Sequence, residues 1–229
     1  MNKRTILFLL LVGVIGLNQF SGAIIRSQNR PHVNSGYRLI SSWYWIQGYN
    51  AWLEKDASRL IDRYSFAAAF EPTNLFYWRL AAQTIAYDLP VWDMEAKEGH
   101  SGKLSDSDVE RIRVGFGQQA LGFFERSREL FENDGDWYLT GAFLAEAVCL
   151  DKERAIQYLE KAISLPEIPY AAGRSYARIL VERGEVEQAH AFLVSWLPRL
   201  QNNSFEARIS EISNWIRELE TALTSSLPN

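Results

Sequence analysis

The chain has 229 residues, of which 47% are hydrophobic, so it is long enough to bury a hydrophobic core. Its formal net charge of -4 at pH 7 argues against the clustered basic surface that nucleic-acid binding requires, so no nucleic-acid partner is expected. Cys149 is the only cysteine, which excludes an internal disulfide, and its apolar neighbours predict a buried structural thiol.

Residues 1–25 have the composition of a targeting segment, because two basic residues precede an unbroken apolar run over residues 6–17. This run spans roughly 18 Å as a helix, less than the roughly 30 Å of a bilayer core, which favours a signal peptide cleaved after Ala23. A transmembrane helix over residues 6–25, retained as a signal anchor, is the alternative. In both cases the positive charges hold the N-terminus in the cytoplasm. We therefore expect the body in the cell envelope outside the cytoplasm, which is the periplasm if the cell is Gram-negative.

Residues 26–36 are polar and contain Pro31 and Gly36, which predicts a short linker. From Tyr37 onward, apolar residues recur at spacings of three and four, and no alternating strand pattern competes with them. The sequence therefore predicts an all-α body over residues 37–224, built from antiparallel helical hairpins.

A pattern of small, large apolar and proline residues occurs twice between residues 151 and 198. Its two copies are Ala155, Leu159, Ala162 and Pro166, then Ala189, Leu193, Trp196 and Pro198. The copies are about 34 residues apart, an interval typical of stacked helical hairpins. The sequence therefore predicts hairpins over residues 137–166 and 169–198.

The same pattern extends towards the N-terminus, into a predicted hairpin over residues 37–72. The matching residues are Tyr44, Gly48, Tyr64, Ala67 and Pro72. On these residues the chain resembles a degenerate tetratricopeptide-repeat (TPR) protein. Its Ser-Gly-Tyr-Arg-Leu segment at 35–39 and Tyr-Trp-Arg-Leu-Ala-Ala segment at 77–82 also resemble uncharacterised membrane-anchored bacterial repeat proteins. The resemblance implies a short right-handed TPR-like solenoid that binds a protein or peptide on its concave face.

The remaining hairpin is predicted over residues 74–132. Thr73 or Asn74 is expected to cap its first helix, which ends at Pro90, and Ser105 or Ser107 to cap its second. A polar insert at residues 93–108 separates the two helices. A final amphipathic helix at residues 204–223 is expected to seal the end of the array.

The first helix of each hairpin lines the concave face in such arrays, and the repeat register selects the residues that face a partner. They are Trp45, Tyr49, Trp52, Arg79, Gln83, Tyr138, Arg174 and Arg178. The last two are four residues apart on one helical face and suit an acidic group of the partner. The alternative is that they pair with Glu182, Glu185 or Glu187 on the surface.

Three functions remain open on the sequence alone. The first is a non-catalytic, membrane-associated protein-protein interaction scaffold without a cofactor. The second is a structural subunit of a cell-envelope assembly, which predicts a broad apolar patch continuous with the leader. The third is a metal-dependent hydrolase using the acidic segment 88–108, which requires His100 and at least two carboxylates close together. A solvated polar loop would have the same composition as that segment without binding a metal.

Overall fold

The computed structural model describes residues 35–166, 169–200 and 208–225. Within these ranges the chain consists of helices and the turns between them, with no strand, which confirms the all-α class. No helix in the same ranges is both long enough and apolar enough to cross a bilayer. The leader predicted at residues 1–25 lies outside the described residues, as does most of the predicted linker.

The described helices follow one another with short connections. They are α1 Ser35–Leu53, α2 Ala57–Phe70, α3 Leu75–Gln83, α4 Leu89–Ser101, α5 Asp106–Glu125, α6 Gly135–Ala147, α7 Lys152–Ser164, α8 Tyr170–Glu182, α9 Val186–Trp196 and α10 Ile209–Ser225. A π-helical turn, Thr84–Asp88, joins α3 to α4, and 3-10 turns lie at Arg128–Leu130 and Leu197–Arg199. The contacts divide the chain into two compact units, a first unit that ends at Trp78 and a second unit that begins at Arg79.

Short polar side chains cap the starts of several helices. Asp56, Asp134 and Asp151 each accept a hydrogen bond from the backbone N–H three residues further on, at 2.9–3.0 Å. Asn74 accepts from the N–H of the second residue of α3 at 3.1 Å, and Ser105 accepts from that of the third residue of α5 at 3.2 Å. The structure thus confirms the capping of both helices and selects one of the two candidates at each.

The prediction that a helix ends at Pro90 is wrong. The chain widens into the π-helical turn Thr84–Asp88 and continues directly as α4. Pro90 lies in the first turn of α4, where the wider preceding turn accommodates its ring and its missing N–H. The segment predicted as a polar insert, 93–108, is consequently mostly helical, and only residues 102–105 within it are non-helical.

In the first unit, α1 and α2 pack as a hairpin through a close contact between a glycine and an aromatic ring. A Cβ added to Gly48 would lie 2.3 Å from Cε1 of Tyr64, so only glycine allows the two helices this approach. The buried Ser41 hydroxyl donates a hydrogen bond to the carbonyl oxygen of Ala67 at 2.6 Å. The buried face of α1 is therefore fixed towards α2.

In the second unit, each helix from α5 to α10 contacts the next one in sequence. Gly141 of α6 lies against the ring of Tyr158, and Gly173 of α8 lies against that of Trp196. The helix α10 packs its apolar stripe onto α8 and α9 in a buried cluster that includes Ala177, Leu193, Trp196, Ile212, Ile216 and Leu219. The second unit is therefore held by pairwise packing of consecutive helices.

Candidate functional site

The predicted partner-binding residues differ widely in exposure. Tyr49, Trp52, Arg79 and Gln83 are exposed, Trp45, Arg174 and Arg178 are half-buried, and Tyr138 is buried. The three aromatic residues of α1 belong to the first unit, and the others belong to the second. Arg79 and Gln83 lie four residues apart on one exposed face of α3.

Tyr138 is a core residue and not part of an accessible surface, contrary to the prediction. Only 7% of it is exposed, and its hydroxyl donates a hydrogen bond to the carbonyl oxygen of Glu132 at 3.1 Å. Burial raises the pKa of this hydroxyl above its usual value. Its ring packs edge-to-face on Trp137, with 5.0 Å between the ring centroids. Tyr138 therefore cannot contact a partner in this arrangement.

Arg178 takes part in an ion-pair network across three helices of the second unit. Its guanidinium lies 2.6 Å from a carboxylate oxygen of Glu146 in α6 and 2.6 Å from one of Glu182 in α8. The second carboxylate oxygen of Glu182 lies 2.6 Å from Nζ of Lys152 in α7. The surface-pairing alternative therefore holds for Arg178, with Glu146 as a further partner that the sequence pattern missed.

Replacing Arg178 by alanine is expected to lower the free energy of unfolding by about 1 kcal/mol. The reason is that the carboxylate of Glu146, whose side chain is largely buried, loses the guanidinium with which it pairs. Arg113→Ala, at an exposed arginine of α5, is the matched control and should change it by less than about 0.5 kcal/mol. Urea unfolding followed by circular dichroism measures both. Equal effects of the two substitutions would show that the network contributes nothing to stability.

The same network predicts that the difference in free energy of unfolding between the native chain and Arg178→Ala depends on pH. The hydrogen bonds from Lys152 and Arg178 hold the pKa of Glu182 below its usual value. A carboxylate of this kind stabilises the fold above its unfolded pKa, and the stabilisation is lost as the pH falls through the lowered folded pKa. The stability difference between the native chain and Arg178→Ala should therefore shrink when unfolding is measured at pH 3 instead of pH 7.

The acidic segment does not assemble into a metal centre. His100 is exposed, and its Nδ1 lies 2.6 Å from a backbone carbonyl oxygen of its own helix. Asp93 pairs with Lys97 at 2.7 Å, and hydrogen bonds from Ser105 and a nearby arginine lower the pKa of Asp108. Among the residues that the structure describes, no three His, Cys, Asp or Glu side chains are placed to hold a metal ion.

The helix α1 exposes apolar side chains along most of its length. These residues, each between 36% and 73% exposed, are Tyr37, Leu39, Ile40, Trp43, Ile46, Tyr49, Trp52 and Leu53. Arg38 is the only charged residue in the helix. A helix that is apolar on all sides is normally buried on all sides, yet only one side of α1 is covered by α2.

Two tryptophans of α1 show how this surface is organised. Trp52 stacks on Tyr49, with the ring centroids 6.0 Å apart and the planes 10° from parallel. Trp45 is half-buried against Phe76, at 6.3 Å, and its buried Nε1 has no hydrogen-bond partner among the described residues. The repeat register did not select the exposed residues Trp43 and Ile46. The absence of any charge between residues 39 and 53 was the signal that could have identified them.

No protein-family model matches the chain, and neither a curated protein nor a solved structure shows significant similarity to it. The function therefore has to be inferred from the exposed side chains of α1.

Proposed function

We propose that the protein is a non-catalytic interaction scaffold that is associated with the membrane through its N-terminal segment and acts outside the cytoplasm. Its docking surface for a protein or peptide partner is the exposed side of α1, here called the aromatic face and formed by Leu39, Trp43, Ile46, Tyr49, Asn50, Trp52 and Leu53. The observation that carries this proposal is the exposure of the six apolar residues of this set on a helix with a single charge.

Physical chemistry favours protein contact for such a surface. Contiguous exposed apolar patches mark interaction sites, because water-exposed apolar area is costly unless a partner covers it. Tryptophan and tyrosine supply most of the binding energy at many interfaces. Trp43 and Tyr49 are about half exposed, so a partner can bury substantial further area on them.

The packing of the hairpins supports a degenerate TPR-like array as the scaffold. In three hairpins a glycine of the first helix lies against an aromatic ring of the second. The pairs are Gly48 with Tyr64, Gly141 with Tyr158 and Gly173 with Trp196. In this proposal α10 is the helix that seals the end of the array, since its apolar stripe covers α9.

A structural subunit of a cell-envelope assembly is the second candidate function. The position of the aromatic face favours this candidate. The face begins just after the predicted linker, as expected for an apolar patch continuous with the leader. The two candidates differ in whether the partner on α1 is permanent or exchangeable.

Photo-crosslinking in native membranes tests the docking surface. A photoreactive amino acid is placed at Ile46 or Tyr49 in the full-length chain, and at Glu110 of α5 as an exposed control. We expect a discrete protein adduct from the two α1 positions and none from the control. Adducts with lipid alone, or no adduct at either α1 position, would contradict the proposal.

A further inference from the structure

Five exposed residues of the aromatic face follow a heptad spacing. Leu39, Trp43, Ile46, Asn50 and Leu53 are separated by four, three, four and three residues. This is the spacing with which two helices pack along a common seam, through positions a and d of a seven-residue repeat lettered a to g. Leu39, Ile46 and Leu53 occupy the d positions, and Trp43 and Asn50 occupy the a positions. All five residues are exposed.

The seam lies on the side of α1 that α2 leaves open. Gly48, two residues after Ile46 in the f position of the same heptad, is buried against Tyr64 of α2. An f position points directly away from the seam. The packing of the hairpin and the heptad pattern therefore agree on which side of α1 is available to a partner helix.

We infer that a second copy of this chain occupies the aromatic face, with its α1 parallel to and in register with the first. The inference rests on the proposed docking function of this face. A two-fold pair of this kind is self-complementary, because each d residue meets the same residue of the other copy. It buries Leu39, Ile46 and Leu53 of both copies, which are about half or more exposed in one.

The polar residue of the seam fits this partner. A single asparagine at an a position is the device by which parallel two-stranded seams fix their register, because its side chain pairs with the same asparagine of the partner. Asn50 is that residue here. Two of the three d positions, 39 and 53, hold leucine, which is the residue that parallel two-stranded coiled coils prefer at d.

The positions beside the seam do not oppose the pairing. In a parallel pair, residues at g of one copy lie near those at e of the other, which brings Ser42 near Gln47 and Tyr49 near Glu54. None of these contacts places two like charges together. A lipid surface fits less well, because helices that lie on membranes carry several basic residues, and α1 carries only Arg38.

The position of α1 in the chain favours the parallel orientation. With residues 6–25 retained as a signal anchor, two copies in one membrane have the N-terminal ends of their α1 helices on the same side of it. The seam covers only about two heptads, which would be marginal for isolated peptides. Here α2 already holds α1 in helical form, and a shared membrane raises the effective concentration of the copies.

Cysteine crosslinking of the full-length chain in its own membranes tests the pairing and its direction. Leu39→Cys, Ile46→Cys and Leu53→Cys are made singly in a Cys149→Ser background. In a parallel pair each d residue faces the same residue of the other chain, so mild oxidation should give disulfide-linked dimers from all three variants. Phe143→Cys, at a 42% exposed position of α6, is the matched control and should give little dimer.

Direction is decided by the two end positions. In an antiparallel pair centred on Ile46, a cysteine at position 39 or 53 would lie roughly 21 Å along the seam from the cysteine at the same position of the other chain. Dimers from Ile46→Cys alone would therefore overturn the inference. So would the absence of dimer at all three positions, or equal dimer formation by Phe143→Cys.

A charge placed in the seam provides the second test. Ile46→Lys in the Leu39→Cys background sets two ammonium groups against each other and should reduce the disulfide-linked dimer by about tenfold or more. Phe143→Lys in the same background should leave the dimer unchanged. An unchanged dimer with Ile46→Lys would overturn the inference, provided that circular dichroism shows the same helix content.

The two proposals fail in distinguishable ways. A photo-crosslinked adduct at Ile46 with a different protein, together with no Leu39→Cys dimer, would overturn the second copy as partner and leave the docking surface in place. No protein adduct of any kind would overturn both.

Discussion

Replacing Trp137 by alanine is expected to lower the free energy of unfolding by about 3–5 kcal/mol. The side chain is fully buried, at 0% exposure, in the core of the second unit. Its ring stacks on Phe124 with 4.9 Å between centroids and packs edge-to-face on Tyr158 at 5.9 Å. Its Nε1 donates a hydrogen bond to the hydroxyl of Ser127 at 2.8 Å. The substitution leaves a cavity and also removes the donor that Ser127 accepts from.

Two further variants separate these contributions. Trp137→Phe keeps much of the ring volume but lacks the N–H, so it should cost less than the alanine variant and more than about 1 kcal/mol. Phe143→Ala, at a 42% exposed position of the same helix, should change the free energy of unfolding by less than about 0.5 kcal/mol. Urea unfolding followed by circular dichroism measures all three. A loss below about 1 kcal/mol for Trp137→Ala would contradict the burial of this ring.

Helix starts were predictable because capping is a local interaction. Asn74 and Ser105 act through backbone N–H groups two or three residues away, so the sequence contains all that the interaction needs. The π-helical turn Thr84–Asp88 was not predictable in this way. Pro90 is a helix terminator in a regular α-helix, and only the wider turn before it removes the conflict.

The candidate site was less predictable because it depends on which helices cover which faces. Trp137 and Tyr138 are adjacent and both buried, because α6 is packed between α5 and α7. A register assigned from one repeat face therefore placed Tyr138 wrongly on the surface. For α1 the difficulty is the opposite one. Its apolar residues lie on all sides, so the sequence does not show which side is open until the contact of Gly48 with Tyr64 orients the helix.

Replacing Gly173 by alanine is expected to lower the free energy of unfolding by about 1–3 kcal/mol, although alanine in place of glycine inside a helix ordinarily raises it by roughly 0.5–1 kcal/mol. A Cβ at this position would lie 2.4–2.5 Å from three ring atoms of Trp196. That ring is only 2% exposed and belongs to the core cluster with Leu193 and Ile212, so it has little room to move. The steric cost therefore exceeds the gain in helix propensity.

Two other glycines provide graded controls for this steric effect. Gly122 of α5 has no atom within 4 Å of its added Cβ, so Gly122→Ala should stabilise the protein by about 0.5–1 kcal/mol. For Gly141 the nearest ring atoms of Tyr158 lie at 3.0–3.1 Å, so its alanine variant should fall between the other two. Shortening the partner in the double variant Gly173→Ala/Trp196→Leu should remove the clash and give a loss smaller than the sum of the two single losses. Strict additivity of the two losses would mean that contact with the Trp196 ring is not what excludes a side chain at position 173.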